Sequence, residues 1–384
     1  MRLLRSFPFA LSVADAAVAP RMEGFDPGAR PMADFKLGPF YESDPCFAGR
    51  ASGELLKCEP VAAPAGANAW RVMVASRTWD DQQVPVTGIV VAPKARTKTL
   101  RPVLSWCHGT TGGNRAAAPS LADKPAQDFV QRADGAPIDH GVPYLSDWLV
   151  RGFVVVASDY VGLGGPGVHH YLVGSSCARN ALDIVRAAGQ VEGVGAGSEV
   201  LLFGWSVGGH AALFAAEEQA AYAPQLRLRG VVVIAPSTTD FPRVHIPHVY
   251  VLARAYQDAY NVPLAGFTAS GRALIDKAGE VSIFGVYAES LMLEPPFFEG
   301  DWSPAMKQAL ALNLPGQRRA AAPMLVVHGG DDNVVPPAAS ERTVARARAA
   351  GSTVALSWHE GHNHRSVIAA ARGEILEWLG QRLG

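Results

Sequence analysis

Cysteine is scarce in this 384-residue sequence, which contains four. No two of them have the C-x-x-C spacing typical of zinc sites and redox pairs, so neither kind of site is expected. Cys46 and Cys58 lie in a loop-rich region and would form a small disulfide if the protein is exported. Four unpaired thiols are the alternative. The cysteines are Cys46, Cys58, Cys107 and Cys177.

The sequence also lacks an excess of charge of one sign, because 34 basic residues nearly balance 35 acidic ones. This balance gives no electrostatic attraction toward nucleic acid or an anionic membrane. There is no apolar run of about 18 residues, the length that a membrane-spanning helix requires. We therefore expect no nucleic-acid partner and no stable membrane insertion, and the sequence leaves the oligomeric state open. With 48% hydrophobic residues, the chain can bury a sizeable core.

The first 19 residues resemble a weak secretion signal. Basic residues precede an apolar stretch, and Ala17-Val18-Ala19 has the small-x-small form of a cleavage site. Pro8 and Asp15 interrupt the apolar stretch. A cleaved signal would make the protein secreted or periplasmic, and an uncleaved one would leave it in the cytoplasm.

Short apolar runs alternate with helical spacing over residues 69–237 and again over 320–384. This alternation is typical of an α/β fold with a mostly parallel central sheet and helices on both faces. Residues 238–319 are rich in aromatic side chains without a comparable strand run, which predicts an inserted helical cap; a separate second domain is the alternative. The Pro-, Gly- and Ala-rich residues 1–68 are expected to form an N-terminal arm on the surface.

A glycine-flanked serine lies near the centre of the chain, in Gly204-Trp205-Ser206-Val207-Gly208. An apolar strand precedes this G-x-S-x-G pattern and a helix follows it, as in the nucleophile elbow of α/β-hydrolases. Such a tight turn exposes the serine hydroxyl, and side chains in place of the two glycines would collide. We predict Ser206 as the nucleophile. The N–H of Val207, at the helix N-terminus, is predicted to donate to a developing oxyanion.

Candidates for the acid and the base follow the serine in the chain order of α/β-hydrolases. The loop after the next strong apolar strand contains two aspartates; Asp332 is predicted as the acid, with Asp331 as the alternative. Three histidines follow one strand later. His364 is predicted as the base because it lies at the start of the last helix, His362 is the alternative, and His359 is expected to end the strand. No second group of carboxylates or thiolates supports a metal site here.

A glycine-rich loop, residues 108–113, follows an early strand. Such a loop can turn backbone amides toward the serine, so the N–H of Thr110 is predicted as the second oxyanion donor, with Thr111 as the second choice. An ordinary glycine-rich connection is the alternative. No lysine follows these glycines, which excludes a phosphate loop. The glycines of residues 162–167 lack a helix directly after them, so no dinucleotide site is expected.

Five separated motifs resemble the secretory lipase (lipase A-like) family of serine esterases within the α/β-hydrolase superfamily. The resemblance covers about residues 54–384. It implies an α/β-hydrolase core with a helical cap inserted before the acid-bearing strand, no cofactor, and hydrolysis of small-molecule carboxylic esters with apolar acyl groups. The motifs are residues 108–112, 152–164, 171–174, 204–212 and 328–336.

Carried over by position, the resemblance implies Ser206 as the nucleophile, Asp332 as the acid and the histidine of the final loop as the base. It also implies that the amides of Val207 and Thr110 bind the oxyanion. The family often has His before and Gln after the serine, where this sequence has Trp205 and Val207. This difference leaves the preferred acyl length and the balance between hydrolysis and acyl transfer open. Peptide cleavage by the same triad and a catalytically silent binding protein are the remaining alternatives.

Overall fold

The described residues of the computed structural model, 36–42, 46–95, 97–129, 141–240 and 247–383, contain nine strands that join in one sheet. The expected signal segment, residues 1–19, lies outside the described residues. In chain order, the strands are β1 (Leu55–Val61), β2 (Ala67–Arg77), β3 (Gln83–Pro93), β4 (Arg101–Cys107), β5 (Val154–Ser158), β6 (Ala196–Trp205), β7 (Arg227–Ile234), β8 (Met324–Gly329) and β9 (Val354–His359).

The sheet has the order β1-β2-β3-β5-β4-β6-β7-β8-β9. Neighbouring strands from β5 to β9 run parallel, and β1, β2 and β3 add an antiparallel edge. The parallel strands are apolar and buried because helices cover both faces. Their carboxyl ends meet at one edge of the sheet, where ligands bind in open α/β folds. The predicted mostly parallel sheet is thereby confirmed.

The edge strand β1 falls within the segment that the sequence predicted as an N-terminal arm. It pairs antiparallel with β2, from Leu55 to Val61. Its side chains are exposed or only partly buried, which is why the segment shows no apolar alternation. The strands β2 and β3 form a hairpin and are paired as far as Arg77 and Gln83.

Helices form a layer on each face of the sheet and a third group beside it. In chain order, they are α1 (Pro39–Glu42), α2 (Leu145–Val150), α3 (Gly174–Ala188), α4 (Val207–Tyr222), α5 (Pro247–Tyr260), α6 (Ala269–Lys277), α7 (Ile283–Ser290), α8 (Pro304–Leu312), α9 (Pro337–Ala349), α10 (Ser366–Ala370) and α11 (Arg372–Gly380). Within the part of the chain that the structure describes, none of these helices is long and apolar enough to cross a membrane.

Each helical layer has its own apolar core. One core joins α3, α4 and α9 to the sheet, and another joins α2, α10 and α11 to the opposite face. A third core lies among α5, α6, α7 and α8, between β7 and β8 in the chain, and it includes Val207 and residues 171–173. We call residues 247–312 the helical segment and propose that it is the cap predicted from the sequence. Thr268, Ser282 and Ser303 cap three of its helices with side-chain oxygens.

All four cysteines are free thiols. Cys46 and Cys58 are exposed, and Cys107 and Cys177 are buried. Of the two states considered from the sequence, the structure therefore has the unpaired one.

Candidate active site

The predicted nucleophile, Ser206, occupies the turn between β6 and α4. Its backbone angles, φ 57° and ψ −124°, lie in a region that residues with a side chain rarely adopt. A Cβ atom on Gly204 would overlap the backbone of Gly208, and one on Gly208 would overlap the carbonyl of Cys107. The strained turn therefore requires glycine at both positions, as the elbow pattern predicted.

The carboxylate of Asp332 follows β8 and accepts four hydrogen bonds. Its Oδ2 lies 2.7 Å from Nδ1 of His364 and 3.1 Å from Nε2 of His328. Its Oδ1 accepts the backbone N–H groups of Val334 at 2.9 Å and Val335 at 2.8 Å. Burial alone would raise the pKa of Asp332, but the charge of His364 and the bonds from both rings outweigh it and hold this pKa well below its ordinary value. Asp332 is therefore a carboxylate at neutral pH.

The imidazole of His364 lies buried beside the elbow. Because its Nδ1 faces a carboxylate, Nδ1 carries a proton and donates it, and in the neutral ring this leaves Nε2 as an acceptor. The indole N–H of Trp205, the residue before Ser206, donates to the carbonyl O of His364 at 3.0 Å. The two rings lie 5.0 Å apart between centroids. The structure thus brings the predicted acid and the predicted base together next to the predicted nucleophile.

The alternative candidates for the base and the acid lie elsewhere in the two loops. The ring of His362 lies 6.3 Å from the ring of His359, which ends β9 as expected and bonds Glu374. Asp331 is exposed, and its N–H donates to the carbonyl O of His362 at 3.1 Å. Among the described residues, the ring of His362 makes no hydrogen bond to either aspartate.

The hydroxyl of Ser206 is nearly buried and lies 3.4 Å from the hydroxyl of Ser237. Within the described residues it makes no hydrogen bond to a histidine ring. Backbone bonds hold the two serines together, because the N–H of Ser237 donates to the carbonyl O of Ser206 at 2.9 Å. Ser237 has no counterpart in the sequence prediction, since nothing in its local pattern distinguishes it from other loop serines.

The predicted oxyanion loop lies against the elbow. A Cβ atom on Gly109 would lie 2.6 Å from the ring of Trp205, so the loop backbone touches the residue before the nucleophile. The hydroxyl of Thr110 bonds the hydroxyl of Tyr171 at 2.8 Å. Among the described residues, the N–H groups of Thr110 and Val207 bind no acceptor, which leaves both amides available to a ligand.

Thr111, the second choice for the donor, contacts the helical segment. Its carbonyl O accepts the N–H of Ile283 at 3.1 Å. The next residue, Gly112, forms an isolated antiparallel bridge with Ser282. The hydroxyl of Thr111 is buried and has no partner among the described residues. The helical segment therefore supports the loop that carries Thr110.

Three residues near the site were not among the sequence-predicted candidates. His328 contacts Asp332, Tyr171 contacts Thr110, and His248 on α5 lies close to the ring of Tyr171, with 6.5 Å between centroids. Burial and the positive charges of His364 and Arg365 lower the pKa of His248 to about 4, so it is neutral at pH 7. For His328, a polar residue near the end of the apolar strand β8 is the signal that the sequence offers.

Two family models match parts of the chain. The secretory lipase model matches residues 130–244, and the prolyl oligopeptidase family model matches residues 299–384. The first range contains Ser206, and the second contains Asp332 and His364. No curated protein matches the chain in sequence.

Solved structures share the fold over most of the chain. Candida antarctica lipase A in its closed state is 19% identical, with a TM-score of 0.72, covering 90% of this chain and 85% of that one. The rice cell wall degrading esterase LipA from Xanthomonas oryzae is 19% identical, with a TM-score of 0.66, and the match covers 85% of this chain and 97% of that one. At this identity, the likeness establishes the fold.

The sheet order, the glycine-flanked elbow and these structural neighbours define an α/β-hydrolase. Within this class, the match of the secretory lipase model to residues 130–244 supports a carboxylic ester hydrolase. The resemblance to the secretory lipases is confirmed over residues 130–244, which contain three of the five sequence motifs.

Proposed function

We propose that this chain hydrolyses carboxylic esters with apolar acyl groups through a triad of Ser206, His364 and Asp332. Nε2 of His364 takes the proton of the Ser206 hydroxyl while the serine oxygen attacks the ester carbonyl carbon. The amides of Val207 and Thr110 bind the resulting oxyanion. His364 then protonates the leaving alcohol, and an acyl-enzyme remains on Ser206.

Water completes the cycle. His364 removes a proton from a water molecule, which attacks the acyl-enzyme, and the second tetrahedral intermediate expels Ser206 and releases the acid. Asp332 orients the imidazole and stabilises the imidazolium in both halves of the reaction. Its low pKa suits this role, because the carboxylate stays charged when His364 gains a proton.

The bond of 2.7 Å between Asp332 and His364, beside the elbow, is the observation that carries the proposal. It fixes the tautomer in which Nε2 can act as a base. The reaction also requires a bond between this Nε2 and the hydroxyl of Ser206 in the reacting complex. Catalytic hydrogen bonds are often long or misaligned before substrate binds.

An apolar acyl group is favoured by the packing of the helical segment. Its apolar core continues onto Val207, the residue after the nucleophile, and onto Tyr171 and Leu172 beside the oxyanion loop. Ligand sites of this kind are mainly apolar, with a few polar groups that orient the ligand. An acyl chain that leaves the serine on this side would meet apolar side chains.

Peptide-bond cleavage is the second candidate, because the prolyl oligopeptidase family model matches the part of the chain that holds Asp332 and His364. Acyl transfer to an alcohol would use the same acyl-enzyme. Both reactions differ from ester hydrolysis in the products, so product analysis with excess alcohol and with a peptide amide separates the three.

The experiment compares Ser206→Ala with Ser237→Ala. The hydroxyls of the two serines lie 3.4 Å apart, so this pair tests which one reacts. We expect a fluorophosphonate to label the wild type and Ser237→Ala but not Ser206→Ala, with loss of p-nitrophenyl ester hydrolysis in Ser206→Ala alone. Full activity of a folded Ser206→Ala protein would refute the triad. Cleavage of peptides in preference to esters would instead replace the substrate class.

A further inference from the structure

Trp205 contacts each of the three loops that the proposed reaction brings together. It ends β6, directly before Ser206, and its side chain is 3% exposed. Its indole N–H donates to the carbonyl O of His364 in the loop after β9. Its six-membered ring lies against Gly109 in the loop after β4. The residue next to the nucleophile therefore contacts both the base loop and the oxyanion loop.

The bond to His364 fixes the backbone from which the imidazole extends. The neighbouring backbone is held by Asn363, whose side-chain oxygen accepts the N–H groups of Arg365 at 3.0 Å and Ser366 at 2.8 Å. The indole N–H of Trp205 adds a buried hydrogen bond to this loop. The indole and the imidazole of His364 lie 5.0 Å apart between centroids and are tilted by 39°. Loss of this bond would leave the carbonyl of His364 without its buried donor.

The contact with Gly109 explains the glycine at this position. A Cβ atom there would lie 2.6 Å and 2.7 Å from two carbons of the indole. The absence of a side chain lets the loop that precedes Thr110 pack directly on the ring. The far sides of the indole are covered as well, by the edge of Phe129 at 5.5 Å and by the guanidinium of Arg365 at 5.2 Å. The ring is thus held in one orientation.

We propose that Trp205 is a positioning residue that holds His364 and the oxyanion loop at fixed distances from Ser206. This inference rests on the proposed function, because it assigns roles to the same three loops. Trp205 acts through the backbone of His364 and Gly109, and its indole also packs beside the imidazole of His364. Small displacements of catalytic groups lower the rate of the chemical step more than they lower substrate affinity.

The test compares Trp205→Phe with Trp148→Phe. Trp148 is a matched control, because it is also buried and its indole N–H also donates to a backbone carbonyl, that of Pro143, at 3.1 Å. Each substitution keeps an aromatic ring and removes one buried hydrogen bond of the same kind. The two variants are compared with the wild type in thermal unfolding, in kcat and KM for a short p-nitrophenyl ester, and in the rate of fluorophosphonate labelling.

We expect both variants to lose similar thermal stability. Only Trp205→Phe should lose kcat, by about 10- to 100-fold, with KM within about threefold of the wild type and slower fluorophosphonate labelling. Equal kcat values for the two variants, or a loss confined to KM, would overturn the inference. If Trp205→Phe does not fold, Gly109→Ala displaces the same ring and should lower kcat likewise; wild-type kcat in that variant would also overturn it.

Failure of this inference differs from failure of the proposed function. A wild type that hydrolyses no ester and is not labelled at Ser206 would remove the proposed function itself. An active, labelled wild type with an equally active Trp205→Phe variant would remove only the role of Trp205.

Discussion

Replacing His328 by Asn is expected to lower the free energy of unfolding by about 2 kcal/mol, because a hydrogen bond to a charged group contributes about 1.5–3 kcal/mol. Nε2 of His328 faces two acceptors, Oδ2 of Asp332 at 3.1 Å and the carbonyl O of Val335 at 2.9 Å, so it carries a proton. Its Nδ1 lies 2.7 Å from the hydroxyl of Ser340. The side-chain amide of Asn reaches about as far as Nδ1 of His. The variant therefore keeps the hydrogen bond to Ser340 and loses the one to Asp332.

His328→Gln is the matched control, because its amide reaches about as far as Nε2. That variant keeps a donor to Asp332 and loses the bond to Ser340. We expect kcat for a p-nitrophenyl ester to fall about tenfold in His328→Asn, which corresponds to about 1.4 kcal/mol, and less in His328→Gln. The fall in kcat is limited because His364 and two backbone N–H groups still bond the carboxylate of Asp332. A larger loss in His328→Gln than in His328→Asn would refute this reasoning.

The pH dependence of stability tests the electrostatic part of this prediction. The pKa of Asp332 in the folded protein lies below that in the unfolded chain, about 3.9. Its stabilising effect is therefore fully present above about pH 5 and is lost as the pH falls toward the folded-state pKa. Removing the His328 donor raises the folded-state pKa of Asp332. The difference in free energy of unfolding between wild type and His328→Asn is therefore largest at pH 7 and becomes smaller in acid. Urea unfolding at a series of pH values from 7 downward measures this difference. A difference that does not change with pH would assign the lost stability to packing instead of electrostatics.

Two further comparisons test the elbow and the base. Gly208→Ala should prevent folding or sharply lower the melting temperature, because the new Cβ would overlap the carbonyl of Cys107. Gly373→Ala, where no atom lies within 4 Å of the added Cβ, should be neutral or stabilising by up to about 1 kcal/mol; similar melting temperatures would contradict the steric account. His364→Ala should lower kcat by about 10⁴-fold or more, and His362→Ala by no more than about threefold. A larger loss in the latter would make His362 the base.

The parts of the site that were predictable from the sequence are those with a local signature. Ser206 lies between two glycines, a strand and a helix, and the collisions at Gly204 and Gly208 show why the pattern has no substitute. Asp332 and His364 follow strands, and parallel strands end at the same edge of a sheet. Their proximity therefore follows from chain order and strand direction alone.

The partners that hold these groups were not predictable, because they lie far apart in the chain. Thr110 and Tyr171 are separated by 61 positions, and Trp205 and His364 by 159. Each of these contacts depends on how loops pack after the sheet has formed. The sequence indicated only that an indole beside the serine was unusual, without a partner for its N–H.

The glycine-rich loop shows how one pattern can serve two purposes. The sequence predicts that its glycines free backbone amides for an oxyanion. In the structure, a Cβ atom on Gly113 would overlap the carbonyl of Ala278, so this glycine makes room for the helical segment. The N–H of Ile283 in that segment also bonds the carbonyl of Thr111. Residues 247–312 therefore pack on the loop that bears the proposed donor, which supports the proposal that they form the cap.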